Sequence, residues 1–438
     1  MAGLRLPGTS RDDAEESLDE LAALVRASGA RVAGRALQSR ARVDGRTYLG
    51  KGKAAELKED AARLGANLIV LDHDLSPAQG RNLEEILELK VLDRTELILD
   101  IFARRAHTPV AKLQVEVAQL EYLLPRLTRL WEHLSRTGGG IGTRGPGETQ
   151  LEVDRRRIRD RLTRLKQRLT RTGRQLEVQR NLHGDVFRVA LVGYTNTGKS
   201  TLMHALTSAD VDRRDRLFET LDATTRILDL GAGYRATLTD TVGFVQRLPH
   251  TLVESFRATL AEVVSADLLL HVHDISSRHR DMQSASVEAV LKEIGAAEIP
   301  QISIWNKCDR LEATVLEGFR RRADAEAAAV LVSALDGDGI DDLRAAIRAR
   351  LRRGWLEVEG VVPLAEGEIL ARLRAAGEVL EETTLRTGRR VRVRLAPAEW
   401  QRLSARFGKR APGLFRGDPP AESAEDGTRA NGDSREER

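Results

Sequence analysis

The spacing of apolar residues along this 438-residue chain changes several times, and each change marks a different kind of segment. Within residues 1–109, short apolar runs at 66–71 and 90–93 predict buried strands. In the stretches around these strands, apolar residues recur every three or four positions, which predicts helices. The predicted helices span residues 17–28, 76–89 and 96–105. Strands that alternate with helices in this way favour a small α/β domain with parallel pairing.

Residues 110–184 carry a longer pattern. Apolar side chains recur at spacings of four and three on both sides of a glycine-rich centre, which predicts two helices that pair as a long antiparallel hairpin. Pro125 should kink or break the first helix. The two seams consist of Leu113, Val117, Leu120, Leu124, Leu127, Trp131 and Leu134, and of Ile158, Leu162, Leu165, Leu169, Thr172 and Leu176.

The alternation of strands and helices returns in residues 185–353, which predicts an open, mostly parallel sheet. A first strand begins at Val186, and further strands are predicted at 235–240, 268–274, 300–305 and 329–333. Residues 225–230 and 234–240 should form an antiparallel hairpin within this sheet. Ligands of such sheets bind at the carboxyl ends of the strands, so we expect the chemistry there.

Residues 356–416 predict a second small α/β domain, with strands at 358–364 and 390–395 and helices at 367–382 and 399–407. It is locally basic through Arg386, Arg389, Arg390, Arg392 and Arg394. Residues 417–438 contain Gly, Pro, Ser and charged residues with almost no apolar side chain, which predicts a disordered tail.

Composition narrows the class of partner and the compartment. The net charge is only +4, but 60 of the 70 basic residues are arginine, which suits bidentate contacts with phosphate, although a GC-rich genome would produce the same bias. The single cysteine, Cys308, excludes internal disulfides and fits a reducing compartment. No apolar stretch approaches the roughly 20 residues of a membrane span, and residues 1–11 lack a secretion core. A cytoplasmic, monomeric protein is therefore expected.

Residues 186–201 give the clearest indication of a binding site. They read V-F-R-V-A-L-V-G-Y-T-N-T-G-K-S-T, a strand that leads into a glycine loop and then a helix. The G-x-x-x-x-G-K-S spacing in this context predicts a phosphate-binding loop, because glycines let backbone N–H groups and a helix N-terminus face phosphate. Lys199 would contact the β- and γ-phosphates, and the Ser200 hydroxyl would bind Mg²⁺. The predicted loop residues are Gly193, Tyr194, Thr195, Asn196, Thr197, Gly198, Lys199, Ser200 and Thr201.

Two pieces predict a nucleotide switch. Residues 240–243, D-T-V-G, end a strand, where Asp240 would reach Mg²⁺ through water and the Gly243 N–H would sense the γ-phosphate. Thr224 is the predicted residue that closes over Mg²⁺ and the γ-phosphate, with Thr225 as the alternative. The nucleotide-binding switch residues are Asp240, Thr241, Val242 and Gly243. Lys199, Thr224 and Gly243 are predicted to be catalytic, and Ser200 and Thr224 to bind the metal.

A third group of residues identifies the base. Asn306, Lys307 and Asp309 follow a predicted strand, and the Asp309 carboxylate can accept two N–H bonds from guanine but would meet only one such donor in adenine. Ser333 and Ala334 would close the base pocket. Together with the phosphate loop, these residues predict a Ras-like P-loop GTPase that converts GTP to GDP and phosphate.

Two positions bear on the rate of hydrolysis. Ras-like enzymes place a Gln after the Asp-x-x-Gly glycine to orient water, and this chain has Phe244 there. Slow intrinsic turnover completed by a partner is therefore predicted, unless Phe244 packs away and a different polar group serves. Asn196 resembles the asparagine that ligates K⁺ in potassium-dependent GTPases, where the ion supplies positive charge to the phosphates. An ordinary hydrogen bond within the loop is the alternative for Asn196.

Basic residues cluster around the helical pair. From Arg155 to Arg180 there are eleven Lys or Arg and two acids, which suits either an RNA-backbone contact or a solvated helix face. Residues 137–149, T-G-G-G-I-G-T-R-G-P-G-E-T, exceed what a helix turn needs, so they could dock into a polyanionic cavity or act as a hinge. The predicted RNA contacts are Arg136, Arg144, Arg155, Arg156 and Arg157.

Several stretches resemble the HflX family of ribosome-associated GTPases, which is related to the translation-factor GTPases. They are Y-L-G-K-G-K (48–53), L-S-P-A-Q-G-R-N-L-E (75–84), V-L-D-R-T-E-L-I-L-D-I-F (91–102), K-L-Q-V-E-V-A-Q-L-E-Y-L-L-P-R-L (112–127), G-G-G-I-G-T-R-G-P-G-E-T-Q-L-E (138–152) and G-Y-T-N-T-G-K-S-T-L (193–202). The resemblance covers residues 17–350, and its glycine-rich segment is the most specific part.

The resemblance implies a GTPase that binds the large (50S) ribosomal subunit and its rRNA and splits stalled or idle 70S ribosomes, notably under stress. In that family the N-terminal domain and the glycine-rich loop reach toward the peptidyl-transferase region. Some members bind ATP through the N-terminal region, where Lys51 and Lys53 would face phosphate, although a plain turn also fits residues 48–53. An RNA-remodelling or ribosome-assembly chaperone that uses ATP and GTP is the alternative function. A tRNA-modification GTPase has less support, because the chain shows no second catalytic apparatus.

Members of the family usually open with an apolar strand, of which only residues 3–6, G-L-R-L, remain here. The expectation is either a start further upstream or a missing first strand that exposes one sheet edge. The expected domains are an N-terminal α/β domain (1–109), a helical hairpin with a glycine-rich loop (110–184), a GTPase domain (185–353), a small C-terminal α/β domain (356–416) and the tail (417–438).

Overall fold

The computed structural model describes residues 1–127, 146–182, 186–207, 223–231, 234–246, 256–325 and 329–414. The chain divides into two compact units. The first consists of Met1–Gly184, Arg188–Arg226 and Leu238–Gly337, and the second of Asp185–Phe187, Ile227–Thr237 and Asp338–Arg438. None of the helices in the described ranges combines the length and the apolar character that crossing a bilayer requires. The predicted tail lies outside the described residues.

The N-terminal segment is a parallel α/β layer, as predicted. β1 (Ala2–Arg5) pairs in parallel with β2 (Ala36–Ser39), and β3 (Leu68–Val70) pairs in parallel with β4 (Lys90–Leu92). An isolated parallel bridge between Ala2 and Leu71 joins the two pairs. The helices of this segment are α1 (Arg11–Ala27), α2 (Lys51–Leu64), α3 (Pro77–Leu87) and α4 (Arg94–Arg105).

The first strand is present, so the expectation that it is missing was wrong. Ala2 and Leu4 are 1% and 4% exposed. The backbone of β1 is hydrogen-bonded on both sides, because Ala36 donates to the carbonyl of Met1 and Asp72 donates to the carbonyl of Ala2. β1 is therefore an interior strand rather than an exposed edge. Its few residues are enough to form a strand because the chain on both sides pairs with it.

Side-chain caps fix where two helices of this segment begin. The Ser10 hydroxyl accepts from the Asp13 N–H at 3.0 Å, and the Asp13 carboxylate accepts from the Ser10 N–H at 3.2 Å. Ser76 and Gln79 form the same reciprocal pair, with Pro77 at the first helical position. Each cap satisfies donors that a helix end leaves unpaired and contributes about 1 kcal/mol. The first helix therefore starts at Arg11, before its predicted start at residue 17.

Among the described residues, two helices follow the N-terminal segment. α5 (Pro109–Leu123) ends in a short 3₁₀ turn, Leu124–Arg126, which contains Pro125 at the predicted break. α6 (Pro146–Leu182) comes next among the described elements. Most of the glycine-rich loop between them, with Arg136 and Arg144, lies outside the described residues.

Side-chain contacts hold α6 against α5. Arg161 donates to the Glu116 carboxylate at 2.7 Å, and the Lys166 ammonium lies 2.6 Å from the Glu121 carboxylate. Leu162 is buried between them at 8% exposure. Both contacts join residues 45 positions apart, so α5 and α6 run in the same direction, and the predicted antiparallel pairing was wrong for these two helices. Most of the arginines between the predicted seam positions of α6 are exposed.

The central segment contains a six-stranded sheet in the order β10-β9-β8-β5-β7-β6. β5, β8, β9 and β10 pair in parallel, so the predicted mostly parallel sheet is confirmed. Their carboxyl ends consequently gather at one edge. The strands are β5 (Phe187–Gly193), β6 (Thr224–Asp229), β7 (Arg235–Asp240), β8 (Leu268–Asp274), β9 (Gln301–Asn306) and β10 (Ala329–Leu331). The helices are α7 (Lys199–Thr207), α8 (Arg257–Val264), α9 (Arg280–Glu293) and α10 (Ala313–Ala325).

β6 and β7 form a hairpin, as predicted. The Oγ1 atoms of Thr225 and Thr239 lie 2.9 Å apart. At the other end, the Leu230 N–H donates to the Tyr234 carbonyl at 3.0 Å. Both pairs have the same sum of residue numbers, which is the register of an antiparallel ladder.

One hydrophobic core runs through the N-terminal and central segments of the first unit. It contains Leu21 from α1, Ile98 and Phe102 from α4, Val192 from β5 and Phe256. The rings of Phe102 and Phe256 meet edge to face with centroids 5.2 Å apart. Each large apolar side chain buried in this way contributes about 1.5–3 kcal/mol, so the N-terminal segment is packed onto the sheet rather than tethered to it.

The second unit is built around a small antiparallel sheet in the order β11-β13-β12. The predicted helix over 367–382 was wrong after Ala376, because Gly377 begins a strand there. A Cβ on Gly377 would lie 2.4 Å from the Arg394 carbonyl, so only glycine fits at this junction. The strands are β11 (Leu356–Val362), β12 (Gly377–Leu385) and β13 (Gly388–Leu395), and the helices are α11 (Ile340–Arg352), α12 (Gly367–Ala376) and α13 (Pro397–Phe407).

The arginines of β13 are matched by glutamates on the neighbouring strands. Arg390 donates to Glu359 at 2.6 Å, and Arg394 donates to Glu357 at 3.1 Å. Arg389 donates to Glu382 at 2.5 Å. The locally basic stretch in the sequence is therefore a mixed-charge surface in the fold.

The tip of the β6–β7 hairpin belongs to this second unit. Tyr234 is fully buried, and its ring lies 4.4 Å from that of Trp355. Its hydroxyl donates to the Glu378 carboxylate at 2.5 Å and accepts from Arg352 Nε at 3.2 Å.

Candidate active site

The predicted phosphate loop joins β5 to α7, and its backbone requires glycine at two positions. Gly193 and Gly198 have φ angles of 153° and 93°. A Cβ on Gly193 would lie 2.5 Å from the Val272 carbonyl oxygen, and a Cβ on Gly198 would lie 2.3 Å from Asn306 Nδ2. Positive φ and close approach of neighbouring atoms therefore both exclude larger residues, which explains the spacing seen in the sequence.

Lys199 begins α7, and its side chain folds back under the loop. It is 6% exposed, and its ammonium donates to the carbonyls of Gly193 at 3.0 Å and Tyr194 at 2.8 Å. Burial lowers the pKa of Lys199 to about 8, although the charge of Asp240 acts in the opposite direction. A desolvated cation of this kind gains most from an anionic partner, such as a phosphate.

Ser200 and Asp240 converge at the carboxyl edge of the sheet. The Ser200 hydroxyl donates to Asp240 Oδ2 at 2.8 Å, and the Thr241 hydroxyl donates to the Leu191 carbonyl at 2.6 Å, which fixes the end of β7. Oxygen donors suit Mg²⁺, which keeps several water and phosphate ligands. The described ranges contain no group of three or more His, Cys, Asp or Glu placed to hold a metal ion by themselves. The pair therefore fits a Mg²⁺ whose other ligands come from phosphate and water.

Gly243 lies against the phosphate loop. A Cβ there would lie 2.9 Å from Thr195 Cγ2 and 3.0 Å from Lys199 Nζ. The next residue, Phe244, forms two backbone hydrogen bonds to the loop, one to the Gly193 carbonyl at 3.1 Å and one from the Thr195 N–H at 2.6 Å. The Phe244 side chain is 2% exposed and packs in the core. Phe244 therefore packs away, which is one part of the alternative, whereas a different polar group that serves in its place stays a prediction.

The predicted base-reading residues meet at the ends of β9 and β10. The Asn306 amide donates to the Thr197 carbonyl at 2.7 Å and accepts from the Ala334 N–H at 3.0 Å. The Ser333 hydroxyl donates to Asp309 Oδ1 at 2.8 Å. Asn306 thus joins the base side to the phosphate loop, while the exposed Asp309 carboxylate is oriented to accept hydrogen bonds.

Other predicted residues lie apart from these contacts or outside the described ranges. Thr224 is the first residue of β6, with an exposed side chain, and Thr225 contacts Thr239. On α6, Arg155 is half-buried, whereas Arg156 and Arg157 are exposed.

The Y-L-G-K-G-K stretch forms the start of α2 rather than an isolated turn. Gly50 is the N-cap, and Lys51 is the first helical residue. The Lys53 ammonium pairs with the Glu56 carboxylate one turn later. Lys53 is therefore engaged within its own helix.

His271 and His273 lie in β8 with ring centroids 3.9 Å apart. Burial lowers the pKa of His271 to about 3 and that of His273 to about 4. Both imidazoles are therefore neutral at physiological pH.

Sequence reasoning missed two residues that hold the site. Asp274 accepts from the Lys307 ammonium at 2.6 Å, and Glu20 accepts from the Tyr194 hydroxyl at 2.5 Å. Asp274 ends β8 at the edge where ligands bind, a signal that could have been used. Glu20 is separated from Tyr194 by 174 positions, and nothing in its local sequence marks it.

Family comparisons match the chain from near its start to β9. Residues 15–103 match a family described as "GTP-binding GTPase N-terminal", and residues 105–182 match one described as "GTP-binding GTPase Middle Region". Residues 188–307, which include the phosphate loop and Asn306, match the family described as "50S ribosome-binding GTPase".

Curated relatives extend this similarity over most of the chain. "GTPase HflX" of Caldanaerobacter subterraneus subsp. tengcongensis is 45% identical over 375 residues, which cover 85% of this chain and 86% of that protein. "GTPase HflX" of Lacrimispora saccharolytica is 46% identical over 373 residues, covering 85% and 87%. "GTPase HflX" of Escherichia coli (strain K12) is 42% identical over 401 residues, covering 90% and 93%.

Proposed function

The chain belongs to the HflX family of GTPases, and from this premise we propose that it binds the large ribosomal subunit and promotes the dissociation or rescue of 70S ribosomes, including under stress. Hydrolysis of GTP to GDP and phosphate is the activity of the family. The ribosomal step goes beyond that activity. Because ribosomes reside in the cytoplasm, that is where we place its action, as a monomer.

The observation that carries the proposal is the exposed arginine face of α6. Arg156, Arg157 and Arg159 are exposed on it, and further along Arg164, Arg168 and Arg171 are exposed as well. Guanidinium groups spaced along one helix suit successive phosphates of an RNA backbone. With Arg136, Arg144 and Arg155, they would form the rRNA-binding arm next to the glycine-rich loop.

The roles we assign within the site are those that the sequence predicts for its residues. Lys199 and the loop N–H groups hold the phosphates, and Ser200 and Thr224 bind Mg²⁺, which would neutralise charge on the β- and γ-phosphates. Gly243 senses the γ-phosphate. The remaining nucleotide contacts are Gly193, Tyr194, Thr195, Asn196, Thr197, Gly198, Thr201, Asp240, Thr241, Val242, Asn306, Lys307, Asp309, Ser333 and Ala334.

Asn196 is assigned a second role, as a ligand of K⁺ beside the phosphates. It has a positive φ of 60°, its side chain is exposed, and its carbonyl accepts from the Lys307 ammonium at 2.6 Å. The backbone is therefore fixed while the amide side chain stays on the open side of the loop. A K⁺ there would supply charge that an arginine finger supplies elsewhere.

In this proposal, the state of the nucleotide determines how long the protein stays bound to the ribosome. Phe244 offers no polar group to orient water, so intrinsic hydrolysis is slow and the ribosome completes the site. GTP holds the switch residues and the helical arm in the ribosome-binding arrangement, and hydrolysis releases the complex. The division of the chain into functional domains at 1–109, 110–184, 185–353 and 356–416 is part of the same proposal.

The test is a sucrose gradient of 70S ribosomes incubated with the full chain and a non-hydrolysable GTP analogue. We expect 50S and 30S peaks to grow at the expense of 70S. Lys199→Ala should abolish this GTP-dependent effect. Replacing Arg155, Arg156 and Arg157 by Gln should weaken splitting but preserve intrinsic hydrolysis. This result would distinguish ribosome binding by the helical arm from hydrolysis at the nucleotide site. An unchanged 70S peak with active, nucleotide-bound protein would exclude the splitting role.

A further inference from the structure

The hydroxyl of Tyr194, in the phosphate loop, is the meeting point of three segments. It donates to Glu20 Oε1 on α1 at 2.5 Å and accepts from the backbone N–H of Gln246 at 2.6 Å. Tyr194 is 6% exposed, so both hydrogen bonds are shielded from water. The N-terminal helix, the phosphate loop and the segment after Gly243 are thus joined through one oxygen atom.

The carboxylate of Glu20 is itself held in place by a buried network. Arg94, 1% exposed on α4, donates to Glu20 Oε2 and to Asp72 Oδ1, the latter at 2.8 Å. Asp72 also accepts from the Ser17 hydroxyl at 2.6 Å. Buried networks of this kind are rigid, because loss of one partner leaves another charge unpaired. Glu20 is therefore an acceptor that contacts other than the one with Tyr194 also hold in place.

The protonation state of Tyr194 gives this chain of hydrogen bonds a direction. Burial and the charge of Glu20 both raise the pKa of Tyr194, so the phenol stays neutral. A neutral phenol has one hydrogen to donate, and Glu20 takes it. The oxygen of Tyr194 is then left as an acceptor, which is the role that the N–H of Gln246 requires.

The contact to Gln246 completes a row of hydrogen bonds between the loop and residues 243–246. Phe244 already forms two backbone bonds, one with Gly193 and one with Thr195. Gly243 lies beside Thr195 and the Lys199 ammonium, since a Cβ added to Gly243 would come within 2.9–3.0 Å of both residues. The hydrogen bond from the Gln246 N–H to the Tyr194 hydroxyl therefore holds residue 246 against the loop, two residues beyond the contacts that Phe244 makes.

We propose that Glu20 and Tyr194 are positioning residues for GTP hydrolysis. By fixing the direction of the Tyr194 hydroxyl, Glu20 holds residues 243–246 against the phosphate loop. This contact sets the position of the Gly243 N–H when water attacks the γ-phosphate. The side chain after Gly243 is buried and apolar, so the rate depends on how this backbone is held. The inference rests on GTP hydrolysis and is independent of the ribosomal role.

The test compares three substitutions in the purified full chain, without ribosomes. Tyr194→Phe removes only the hydroxyl, and Glu20→Gln removes the charge at almost constant size. Glu15→Gln is the matched control, because Glu15 lies on the same helix but pairs with Arg11 at the surface. The measurements are the single-turnover rate of GTP hydrolysis, the Kd for GDP and the midpoint of thermal unfolding. Tyr194→Phe leaves the Arg94 network intact, so it remains informative if Glu20→Gln unfolds.

We expect both substitutions to lower the single-turnover rate by roughly 10-fold, the cost of a small misplacement of reacting groups. The Kd for GDP should stay within about 2-fold, because both substitutions keep the backbone N–H groups of the loop that hold the phosphates. The double variant should be no slower than Tyr194→Phe, since both changes break one chain of hydrogen bonds. An unchanged rate in folded Tyr194→Phe overturns the proposal. A loss of GDP affinity as large as the loss of rate also overturns it, because it would indicate a disordered loop. Additive losses of rate in the double variant overturn it as well.

Discussion

The ammonium of Lys307 donates to the Asp274 carboxylate at 2.6 Å, and it also donates to the Asn196 carbonyl in the phosphate loop at 2.6 Å. Both charged side chains are largely buried, with 12% and 15% of their surfaces exposed. Lys307 adopts a positive φ of 66°, which turns it toward the loop from the end of β9. Lys307, which is predicted to lie beside the base, therefore also fixes the loop that faces the phosphates.

Asp274→Asn tests this link. The substitution removes the counter-charge of Lys307, and hydrogen bonds to charged groups contribute about 1.5–3 kcal/mol. We expect the affinities for GTP and GDP to fall together by roughly 10-fold or more, since that free energy corresponds to at least this factor. Titration with a fluorescent nucleotide measures both. Asp281→Asn is the control, because that carboxylate is 94% exposed on α9. Equal affinities in the two variants would show that the bridge does not support binding.

Gly243→Ala tests the close approach of the switch to the loop. The added methyl group would meet Thr195 and the Lys199 ammonium at 2.9–3.0 Å. We expect the single-turnover rate to fall by roughly 100-fold, the typical cost of losing one transition-state hydrogen-bond donor. Gly318→Ala is the control, since a Cβ there meets nothing within 4 Å and the residue lies in α10. A wild-type rate in Gly243→Ala would remove Gly243 from the hydrolytic site.

Asp309→Asn should change which base is accepted. The carboxylate of Asp309 accepts from two N–H donors of guanine, whereas an amide offers one acceptor and one donor. Xanthine carries an oxygen where guanine carries its amino group, so the amide matches xanthine. We expect GTP affinity to fall by at least about 100-fold and XTP to become the better substrate, because unpaired polar groups are strongly rejected in such sites. Competition between GTP and XTP in a hydrolysis assay measures the shift, and an unchanged preference for GTP would contradict it.

Stability should depend on pH through Glu16, which contacts the His279 imidazole across the N-terminal and central segments. Burial, together with the charges of Glu20, Asp13 and Asp19, raises the pKa of Glu16 to about 7. The unfolded carboxyl ionises at a lower pH than the folded one, so the folded state loses stability as the pH rises from about 4.3 to about 7. Glu16→Gln removes this titration. The melting temperature of the variant relative to the parent should therefore increase between pH 5 and pH 8.

The control for the Glu16 prediction is the Glu15→Gln variant, whose carboxylate is at the surface. We expect the increase in relative melting temperature between pH 5 and pH 8 in Glu16→Gln and not in this control. If the Glu16→Gln and parent curves also stay parallel from pH 5 to pH 8, Glu16 does not titrate in the way its surroundings indicate.

Potassium dependence tests the role of Asn196. Turnover in KCl should exceed turnover in NaCl at equal ionic strength, because K⁺ beside the phosphates would stabilise charge in the transition state. Asn196→Ala should reduce the rate in KCl to that in NaCl and leave the NaCl rate unchanged. Equal rates in the two salts for the parent protein would remove the K⁺ assignment and leave an ordinary loop asparagine.

Local chemistry could be predicted from the sequence because it depends on neighbouring residues. The strands 235–240 and 268–274 were predicted with the bounds that β7 and β8 have. The phosphate loop was predicted because Gly193 and Gly198 are required by the backbone itself. Fixed spacing and alternation determine such features without reference to distant residues.

Features that depend on distant partners could not be predicted in this way. The apolar spacing of Leu370, Leu373 and Val379 continues a helical period, but Gly377 must fit against the backbone of β13, so the chain changes to a strand. The Tyr194–Glu20 contact likewise joins residues far apart in sequence. Pairing across a fold is set by tertiary packing, which overrides local preference.

The anchoring of Tyr234 has a practical consequence for dissecting this protein. A truncated chain that stops after Arg353 would lack Trp355 and Glu378, and so would remove the aromatic neighbour of the Tyr234 ring and the acceptor of its hydroxyl. The newly bared ring would sit on the hairpin between Thr224 and Asp240, where it could perturb nucleotide turnover by itself. Loss of activity after such a truncation would therefore not measure what the removed residues do, and point substitutions are the sounder tool.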